Sequence, residues 1–247
     1  MKALVLAGGG AKGSYQAGVI SQLGQYDLII GTSAGALNAV GLSYLGSTGL
    51  TDLWMEIKGK SDIFSFGWST SGLLSPQPLA KMVNDIVNHN DPAVPTWVCS
   101  VRLEDSQVIY SKSGDEDFST MAVASCSIPG AIVPVIHDGA TYVDGGIREN
   151  CPVKRAKDLG ATEIDVILCN PLEWDTTWQS MDHDFLPAAH IVSRSFDILF
   201  HEALVNDLSP GCRVWAPEKD LGGMLDFDPQ NIRHLYELGR QATFKVI

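Results

Sequence analysis

The sequence predicts an α/β protein built on a parallel sheet. In the first half of the chain, short apolar runs alternate with segments of helical periodicity. This alternation is typical of βαβ units. The 247 residues, of which 45% are hydrophobic and 19% charged, suffice for a well-buried core. No linker-like stretch divides the chain, so we predict one domain over residues 1–247.

The first two strands and helices are predicted within 45 residues. The apolar run 2–7 predicts a strand and residues 11–23 a helix, after which "YDLIIG" at 26–31 predicts a second strand. Small residues at 33–45 predict a helix that packs closely. Further strands are predicted at 96–101, 107–111 and 141–144, and further helices at 79–88 and about 119–127.

The second half is predicted to be mainly helical. Pro152 begins a helix that ends at Gly160, and "EIDVIL" follows as a strand at 163–168. Beyond residue 170 we predict a long loop at 170–186, a helix at 185–206, a strand at 212–217 and a last helix. This last helix begins at Asp228-Pro229, a cap followed by a first-turn proline, and runs to about residue 242.

Composition excludes several classes of partner and cofactor. The net charge of −12 argues against nucleic acid, which needs clustered Lys and Arg, and against adhesion to anionic membranes. It does not oppose burial of an uncharged acyl chain. The five cysteines form no Cys-x-x-Cys pair, so neither a disulfide framework nor a zinc site is expected. We predict no cofactor and no metal.

The sequence also bears on location. The apolar start "MKALVLAGGG" is too short and too rich in glycine for a signal peptide, whose apolar segment spans about 7–15 residues. No run approaches the ~20 apolar residues of a membrane span. We therefore predict a cytoplasmic protein without signal peptide or transmembrane segment. Transient contact with a membrane surface stays open, and the oligomeric state is not determined.

A glycine loop, "AGGGAKG" at 7–13, follows the first strand. Gly8, Gly10 and Gly13 satisfy the G-x-G-x-x-G pattern of dinucleotide sites. That pattern also needs an acidic residue at the end of the second strand, and Asp27 stands at the wrong end. A P-loop is excluded because Lys12 precedes Gly13 and does not follow it. A third interpretation is an oxyanion hole, in which bare amides converge on one atom.

A candidate nucleophile follows the second strand. "GTSAG" at 31–35 matches G-x-S-x-G, a sharp strand-to-helix turn that exposes a serine. Ser33 is also compatible with a plain helix N-cap, a role that an elbow serine shares. At the start of a helix it would lie near the positive end of the helix dipole.

Two kinds of base are open. The six histidines, listed in chain order, are His89, His137, His183, His190, His201 and His234, and none lies in a motif. Asp144, in "YVDGG", ends a predicted strand, although Asp-Gly is also a common turn. Because sites in open α/β sheets form at the carboxyl ends of strands, we expect Ser33 and Asp144 to face the same side.

Together these motifs resemble those of the patatin-like phospholipase family. Its pattern appears as "GGGAKG" at 8–13, "GTSAG" at 31–35 and "DGG" at 144–146, with two further stretches, "ASCSIPGAIVPV" at 124–135 and "RENCPV" at 148–153. The resemblance covers about the first two-thirds of the chain. Lys12 stands where the family more often has arginine, which keeps the charge and loses the planar fork.

The resemblance implies a three-layer α/β/α fold with a mainly parallel central sheet. It also implies hydrolysis of phospholipid or lysophospholipid esters through a Ser33–Asp144 dyad and an acyl-enzyme intermediate. Gly8, Gly9, Gly10 and Ala34 would supply the amides of the oxyanion hole. A carboxylate with the ordinary pKa of about 3.9 is a weak base, so much of the rate would come from that hole. For Lys12 we favour a structural role, in which it pairs with a carboxylate, over an electrostatic one.

Two alternatives remain at this stage. One is a small-ester esterase that uses Ser33 with His137 or another histidine, and the other is a non-catalytic dinucleotide-binding module.

Two aromatic stretches are candidates for lipid contact. Phe64, Phe66, Trp68, Leu73 and Leu74 could form an acyl channel or an interfacial lip, or could pack a loop onto the core. A second candidate lip comprises Trp174, Trp178 and Phe185.

Overall fold

The computed structural model describes residues 1–69, 71–173 and 188–247, and for 68–69 and 188–193 it describes the backbone only. The strands in these ranges are β1 (Lys2–Leu6), β2 (Leu28–Thr32), β3 (Ser65–Ser69), β4 (Gly72–Ser75), β5 (Thr96–Arg102), β6 (Gln107–Lys112), β7 (Gly130–Ile132), β8 (Val135–His137), β9 (Ala140–Asp144), β10 (Glu163–Ile167), β11 (Arg213–Trp215) and β12 (Phe244–Val246). The helices are α1 (Gly13–Ile20), α2 (Ala34–Glu56), α3 (Gln77–His89), α4 (Phe118–Ala124), α5 (Val153–Asp158), α6 (Ala188–Asp207) and α7 (Pro229–Arg240).

The central sheet has the strand order β12-β11-β10-β1-β2-β5-β9-β8, and β6 also pairs with β5. Strands β11, β10, β1, β2 and β5 are parallel to one another. The remaining strands, β6, β8, β9 and β12, pair antiparallel. The prediction of a mainly parallel central sheet is therefore confirmed.

Helices cover both faces of this sheet. Along β1, Leu4 and Leu6 belong to a buried cluster with residues of α1, α2, α3, α4 and α7. The intervening Ala3 and Val5 belong to a second cluster with residues of α5 and α6. This alternation follows from the two-residue period of a strand that is buried on both faces. The three-layer α/β/α architecture implied by the resemblance is confirmed.

A second, three-stranded sheet has the order β3-β4-β7. The sequence analysis predicted no strand for residues 63–76 or for β7, β8 and β12. Strands β4, β7, β8 and β12 have three or four residues, too few to display a period, and β3 contains Gly67 and two serines, which weaken its pattern. Helix α2 is also longer than the predicted 33–45, because it continues to Glu56 across a kink at Gly46, whose φ is 73°. Most of the loop predicted at 170–186 lies outside the described residues.

Candidate active site

Ser33 lies in a strained turn between β2 and α2. Its backbone has φ 54° and ψ −126°, a conformation that non-glycine residues rarely adopt. A Cβ at Gly31 would collide with the Gly35 carbonyl, and one at Gly35 would collide with the Leu6 carbonyl. The two glycines of "GTSAG" are thus required by the closeness of neighbouring backbone, as a nucleophile elbow requires.

The elbow is fixed from the side by Ser125, which the sequence analysis did not single out. The Ser33 amide donates to Ser125 Oγ at 2.8 Å, and the Ser125 hydroxyl donates to the Cys99 carbonyl on β5 at 2.5 Å. Ser125 is fully buried. It lies in "ASCSIPGAIVPV", where the resemblance marked a stretch without assigning a role.

Asp144 reaches Ser33 by a route that differs from the one predicted. Strand β9 is antiparallel to β5, so the chain arrives at Asp144 from the direction opposite to that of β2. Strand β9 ends in the middle of β5, where Asp144 pairs with Ser100 and the neighbouring Cys99 pairs with Thr32 of β2, so Asp144 lies level with the carboxyl end of β2. Ser33 and Asp144 are neighbours because β2 and β9 run in opposite directions and both end at this level of β5.

Burial sets the electrostatics of Asp144. Its carboxyl group is fully buried, and this raises its pKa to about 7, whereas hydrogen bonds from the Ser33 side chain and the Gly146 amide lower the pKa by less. The Gly146 amide donates to Oδ1 at 2.8 Å. Asp144 Oδ2 has no partner at hydrogen-bond distance and angle among the described residues. The pKa of Asp144 is therefore not the ordinary value of a carboxyl group that the sequence analysis assumed.

The backbone amides predicted for the oxyanion hole differ in whether they already donate a hydrogen bond. The Gly8 amide already donates to the Asn150 carbonyl at 3.2 Å and to Asn150 Oδ1 at 3.0 Å. The Gly8 amide therefore already has two acceptors in this structure, and its role in an oxyanion hole stays a prediction. The amides of Gly9 and Gly10, and that of Ala34 at the start of α2, donate no hydrogen bond to a described residue.

Close packing shapes this loop. A Cβ at Gly9 would collide with the Cys169 side chain, and one at Gly10, whose φ is 61°, would collide with the Met224 carbonyl. That carbonyl accepts a hydrogen bond from the Ala11 amide at 2.7 Å. The loop is therefore enclosed by protein where a dinucleotide would place its pyrophosphate, which argues against the dinucleotide-binding alternative.

Asn150 was left without a role by sequence reasoning, although "RENCPV" contains it. Its Nδ2 donates to the Phe200 carbonyl at 3.1 Å while Oδ1 accepts from Gly8, and the side chain is fully buried. The Asp207 carboxylate accepts a hydrogen bond from the adjacent Cys151 amide at 2.8 Å. Asn150 thus ties the glycine loop to α6.

A series of hydrogen-bonded, buried polar side chains supports the glycine loop. Trp54 Nε1 donates to Asn38 Oδ1 at 2.7 Å, and Asn38 Nδ2 donates to Gln16 Oε1 at 2.8 Å. Gln16 Nε2 then donates to the carbonyls of Ala7 and Ile167 at 2.8 and 2.9 Å. This network fixes the end of β1 from which the glycine loop departs.

Lys12 has the structural role that we favoured. Its side chain is buried, and Nζ donates to Asn170 Oδ1 at 2.8 Å and lies 3.4 Å from the Asp220 carboxylate. The ammonium group therefore anchors the end of the glycine loop to two later segments of the chain.

An apolar cavity opens beside Ser33 and Gly10. It is a slender cavity with a volume of about 60 Å³. Apart from Gly10, Ser33 and Asn38, its lining is aliphatic, aromatic or thiol. Half-buried residues border its open side, and they are Leu37, Leu53, Ile57, Met82 and Leu225. Such a lining accepts a hydrocarbon chain and no charged group.

The candidate lip residues divide into three groups. Phe64 lines the cavity, and Leu74 packs against the core. Phe66 and Leu73 are exposed. The Trp68 side chain and residues Trp174, Trp178 and Phe185 lie outside the described part of the chain.

The histidines are the alternative candidates for a base. The structure describes the side chains of His89, His137, His201 and His234. None of these four lines the cavity, and none is among the groups that shift the pKa of Asp144. His183, and the side chain of His190, lie outside the described residues.

Comparison with known proteins agrees with this geometry. The family model described as "Patatin-like phospholipase" matches residues 4–157, more than half of the chain. The chain belongs to the patatin-like phospholipase family. The matched range contains the glycine loop, Ser33, Asp144 and Asn150. None of the helices in the described ranges combines the length and apolarity that a membrane span requires.

Among the patatin-like relatives, the uncharacterised protein YjjU of Escherichia coli is 28% identical over 68% of this chain and 52% of its own length. Lysophospholipase NTE1 of Phaeosphaeria nodorum is 27% identical over 96% of this chain and 18% of its own length. An uncharacterised NTE family protein of Mycobacterium bovis is 29% identical over 97% of this chain and 45% of its own length. The chain thus spans about half of these bacterial relatives and less than a fifth of the fungal one.

A solved structure shares the fold. VipD from Legionella pneumophila superimposes with a TM-score of 0.51 at 12% identity, over 97% of this chain and 65% of the VipD chain.

Proposed function

We propose that this chain is a serine acyl hydrolase that cleaves ester bonds of phospholipids or lysophospholipids through a Ser33–Asp144 dyad. The observation that carries the proposal is a strained serine beside a buried carboxyl group, at the mouth of an apolar cavity. Membership of the patatin-like phospholipase family and similarity to proteins named lysophospholipases support it. Strands β1 and β12 share one sheet, which supports a single hydrolase domain over residues 1–247.

In the first half-reaction, Ser33 Oγ attacks the ester carbonyl carbon while its proton passes to the Asp144 carboxylate. The amides of Gly9, Gly10 and Ala34 donate to the oxyanion that forms. When the tetrahedral intermediate collapses, the ester C–O bond breaks and the leaving alcohol takes the proton from Asp144. The product of this step is an acyl-serine.

In the second half-reaction, water attacks the acyl-serine and gives its proton to Asp144. Collapse releases the fatty acid and returns the proton to Ser33 Oγ, so both residues are restored. The cavity holds the acyl chain throughout, since its lining has almost no polar group. No histidine is needed, because burial already raises the pKa of Asp144 to about 7.

The test combines covalent labelling with product analysis. Wild type should be labelled by a fluorophosphonate and should release fatty acid from phosphatidylcholine or lysophosphatidylcholine. Ser33→Ala should lose both, and Asp144→Asn should lose nearly all turnover. Each of the six histidines is replaced separately by glutamine as the matched control, and none should abolish labelling. Loss of labelling in one histidine variant that folds normally would support the triad alternative.

A further inference from the structure

One short segment of the chain contacts both members of the candidate dyad and also the apolar cavity. Residues 125–128, "SCSI", here called the coupling segment, lie between the end of α4 at Ala124 and the start of β7 at Gly130. All four residues are buried. Successive residues of the coupling segment contact the dyad and the cavity in turn.

The two serines of the coupling segment hold the two members of the dyad. Ser125 Oγ accepts a hydrogen bond from the Ser33 amide at 2.8 Å. The Ser127 carbonyl accepts one from the Asp144 amide at 3.0 Å. Because both donors are backbone amides, the coupling segment helps to set where the backbone of the nucleophile and that of the base lie. A misplacement of about 1 Å in such a site can cost roughly 100-fold in rate.

The two residues that alternate with these serines line the cavity. The side chains of Cys126 and Ile128 both belong to its lining. A hydrocarbon chain in the cavity packs against them, and each close contact adds a small attraction. Cys126 is joined by one peptide bond to Ser125 and by another to Ser127, and Ile128 directly follows Ser127. Contacts with the acyl chain are thus made next to the residues that hold the dyad.

The nucleophile is a group that such contacts can affect. Ser33 has φ 54° and ψ −126°, and a strained conformation of this kind persists only where surrounding contacts hold it. The hydrogen bond to Ser125 is one of these contacts. Ser125 is fixed in turn, because its hydroxyl donates to the Cys99 carbonyl on β5. Binding energy from a remote part of a substrate can be used to orient groups at the reacting bond.

We propose that the coupling segment converts binding of the acyl chain into alignment of Ser33 with Asp144, so that a long acyl chain raises kcat as well as affinity. This role rests on the proposed function, because it concerns the ester reaction at Ser33. Ser125 is a positioning residue, and Ile128 contributes to selection of the acyl chain through the rate of the reaction. A lining residue that only holds the chain would change KM and leave kcat the same.

The test measures kcat and KM separately for soluble p-nitrophenyl esters from butyrate to decanoate. In the wild type, kcat should rise roughly tenfold along this series. Ile128→Ala should lose most of this rise, so that its kcat for decanoate falls toward that for butyrate. The matched control is Ile86→Ala, which removes the same atoms from another buried lining residue, on α3. This control should raise KM for decanoate and keep the rise in kcat.

Variants of Ser125 separate positioning from a general loss of structure. Ser125→Ala removes the acceptor of the Ser33 amide and should abolish the rise in kcat, while KM still falls with chain length. Ser125→Thr keeps the hydroxyl group and should restore part of the rise. A merely structural role for Ser125 would lower kcat by the same factor for every ester and leave the rise in place.

The remaining outcomes decide against the coupling. A wild-type kcat that is constant along the series would overturn it, as would equal losses of kcat in Ile128→Ala and Ile86→Ala; in both cases the proposed function stands. A wild type that cleaves none of these esters would overturn the proposed function and the coupling together. Thermal unfolding checks that each variant folds. If Ile128→Ala does not fold, Ile128→Val takes its place and should show a smaller loss of the same kind.

Discussion

Asn150 accepts a hydrogen bond from the Gly8 amide through Oδ1 at 3.0 Å, and so joins the "RENCPV" segment to the glycine loop. The same oxygen lies near Gly146, beside the Asp144 carboxyl group, since a Cβ at Gly146 would be 3.1 Å from both Asn150 Oδ1 and Asp144 Oδ1. One buried side chain therefore positions the candidate oxyanion loop and adjoins the candidate base.

This arrangement predicts a shifted pH profile for Asn150→Asp. A carboxylate at this position adds a like charge beside Asp144, which raises the pKa of the base. We expect the rise of kcat/KM with pH to move upward by about one unit, measured on a soluble ester. Asn206→Asp is the control, because Asn206 is an exposed residue on α6 that also donates to a backbone carbonyl. A purely structural role for Asn150 would lower activity equally at every pH.

The pKa of Asp144 itself predicts the profile of the wild type. As general base the carboxyl group must be ionised, so kcat/KM for a soluble ester should increase about tenfold per pH unit below pH 7 and level off above it. Burial also raises the pKa of Asp207 to about 7. Asp207→Asn is therefore the required control, and it should keep the profile. If the rise vanishes in Asp207→Asn, the titrating group is not Asp144.

Asp144 also predicts a conflict between activity and stability. Its pKa is higher in the folded state than the usual 3.8, so the folded state holds the proton more tightly and stability falls as pH rises from about 4 to about 7. Asp144→Asn removes the buried charge. It should increase the free energy of unfolding at pH 8 by about 2–4 kcal/mol and have little effect near pH 4, while turnover is lost. Denaturant titration of both proteins at pH 4 and pH 8 measures the free energy of unfolding. Equal stability of Asp144→Asn and the wild type at pH 8 would contradict the prediction.

The glycine loop should be nearly as sensitive as the base. Gly9→Val and Gly10→Val place side chains against Cys169 and Met224, which displaces the loop and its backbone amides. Loss of one oxyanion donor costs roughly 100- to 1,000-fold in kcat. Gly24→Ala is the control, since a Cβ there meets nothing within 4 Å. The double variant Gly9→Ala with Cys169→Gly should recover part of the activity lost in Gly9→Ala. Full turnover in Gly9→Val would remove the loop from the mechanism.

The cavity predicts which acyl chains are cleaved. Val83 on α3 is a buried lining residue, so Val83→Phe should narrow the cavity. We expect short esters such as butyrate to be cleaved within about threefold of the wild-type rate. Decanoate should lose roughly tenfold or more in kcat/KM, the order of discrimination that added methylenes produce in an apolar pocket. Val87→Phe, one turn later on α3 and outside the lining, is the control. An unchanged chain-length profile in Val83→Phe would show that the acyl chain lies elsewhere.

The sequence by itself determined the local geometry of the candidate site. Gly31 and Gly35 in "GTSAG" indicated the serine turn, and the three glycines after β1 indicated a loop of bare amides, because glycine has no side chain to cover its backbone. Asp144 was singled out by the two glycines after it. Such features are short motifs of a few consecutive residues, which a sequence displays directly.

Only the tertiary structure decided how these pieces meet. It brings Asp144 in on an antiparallel strand, engages Gly8 with Asn150 across 142 residues and encloses a cavity between α2, α3 and the small sheet. It also raises the pKa of Asp144, through burial that no single segment provides. These properties arise from pairing and packing between distant segments, which local periodicity does not encode.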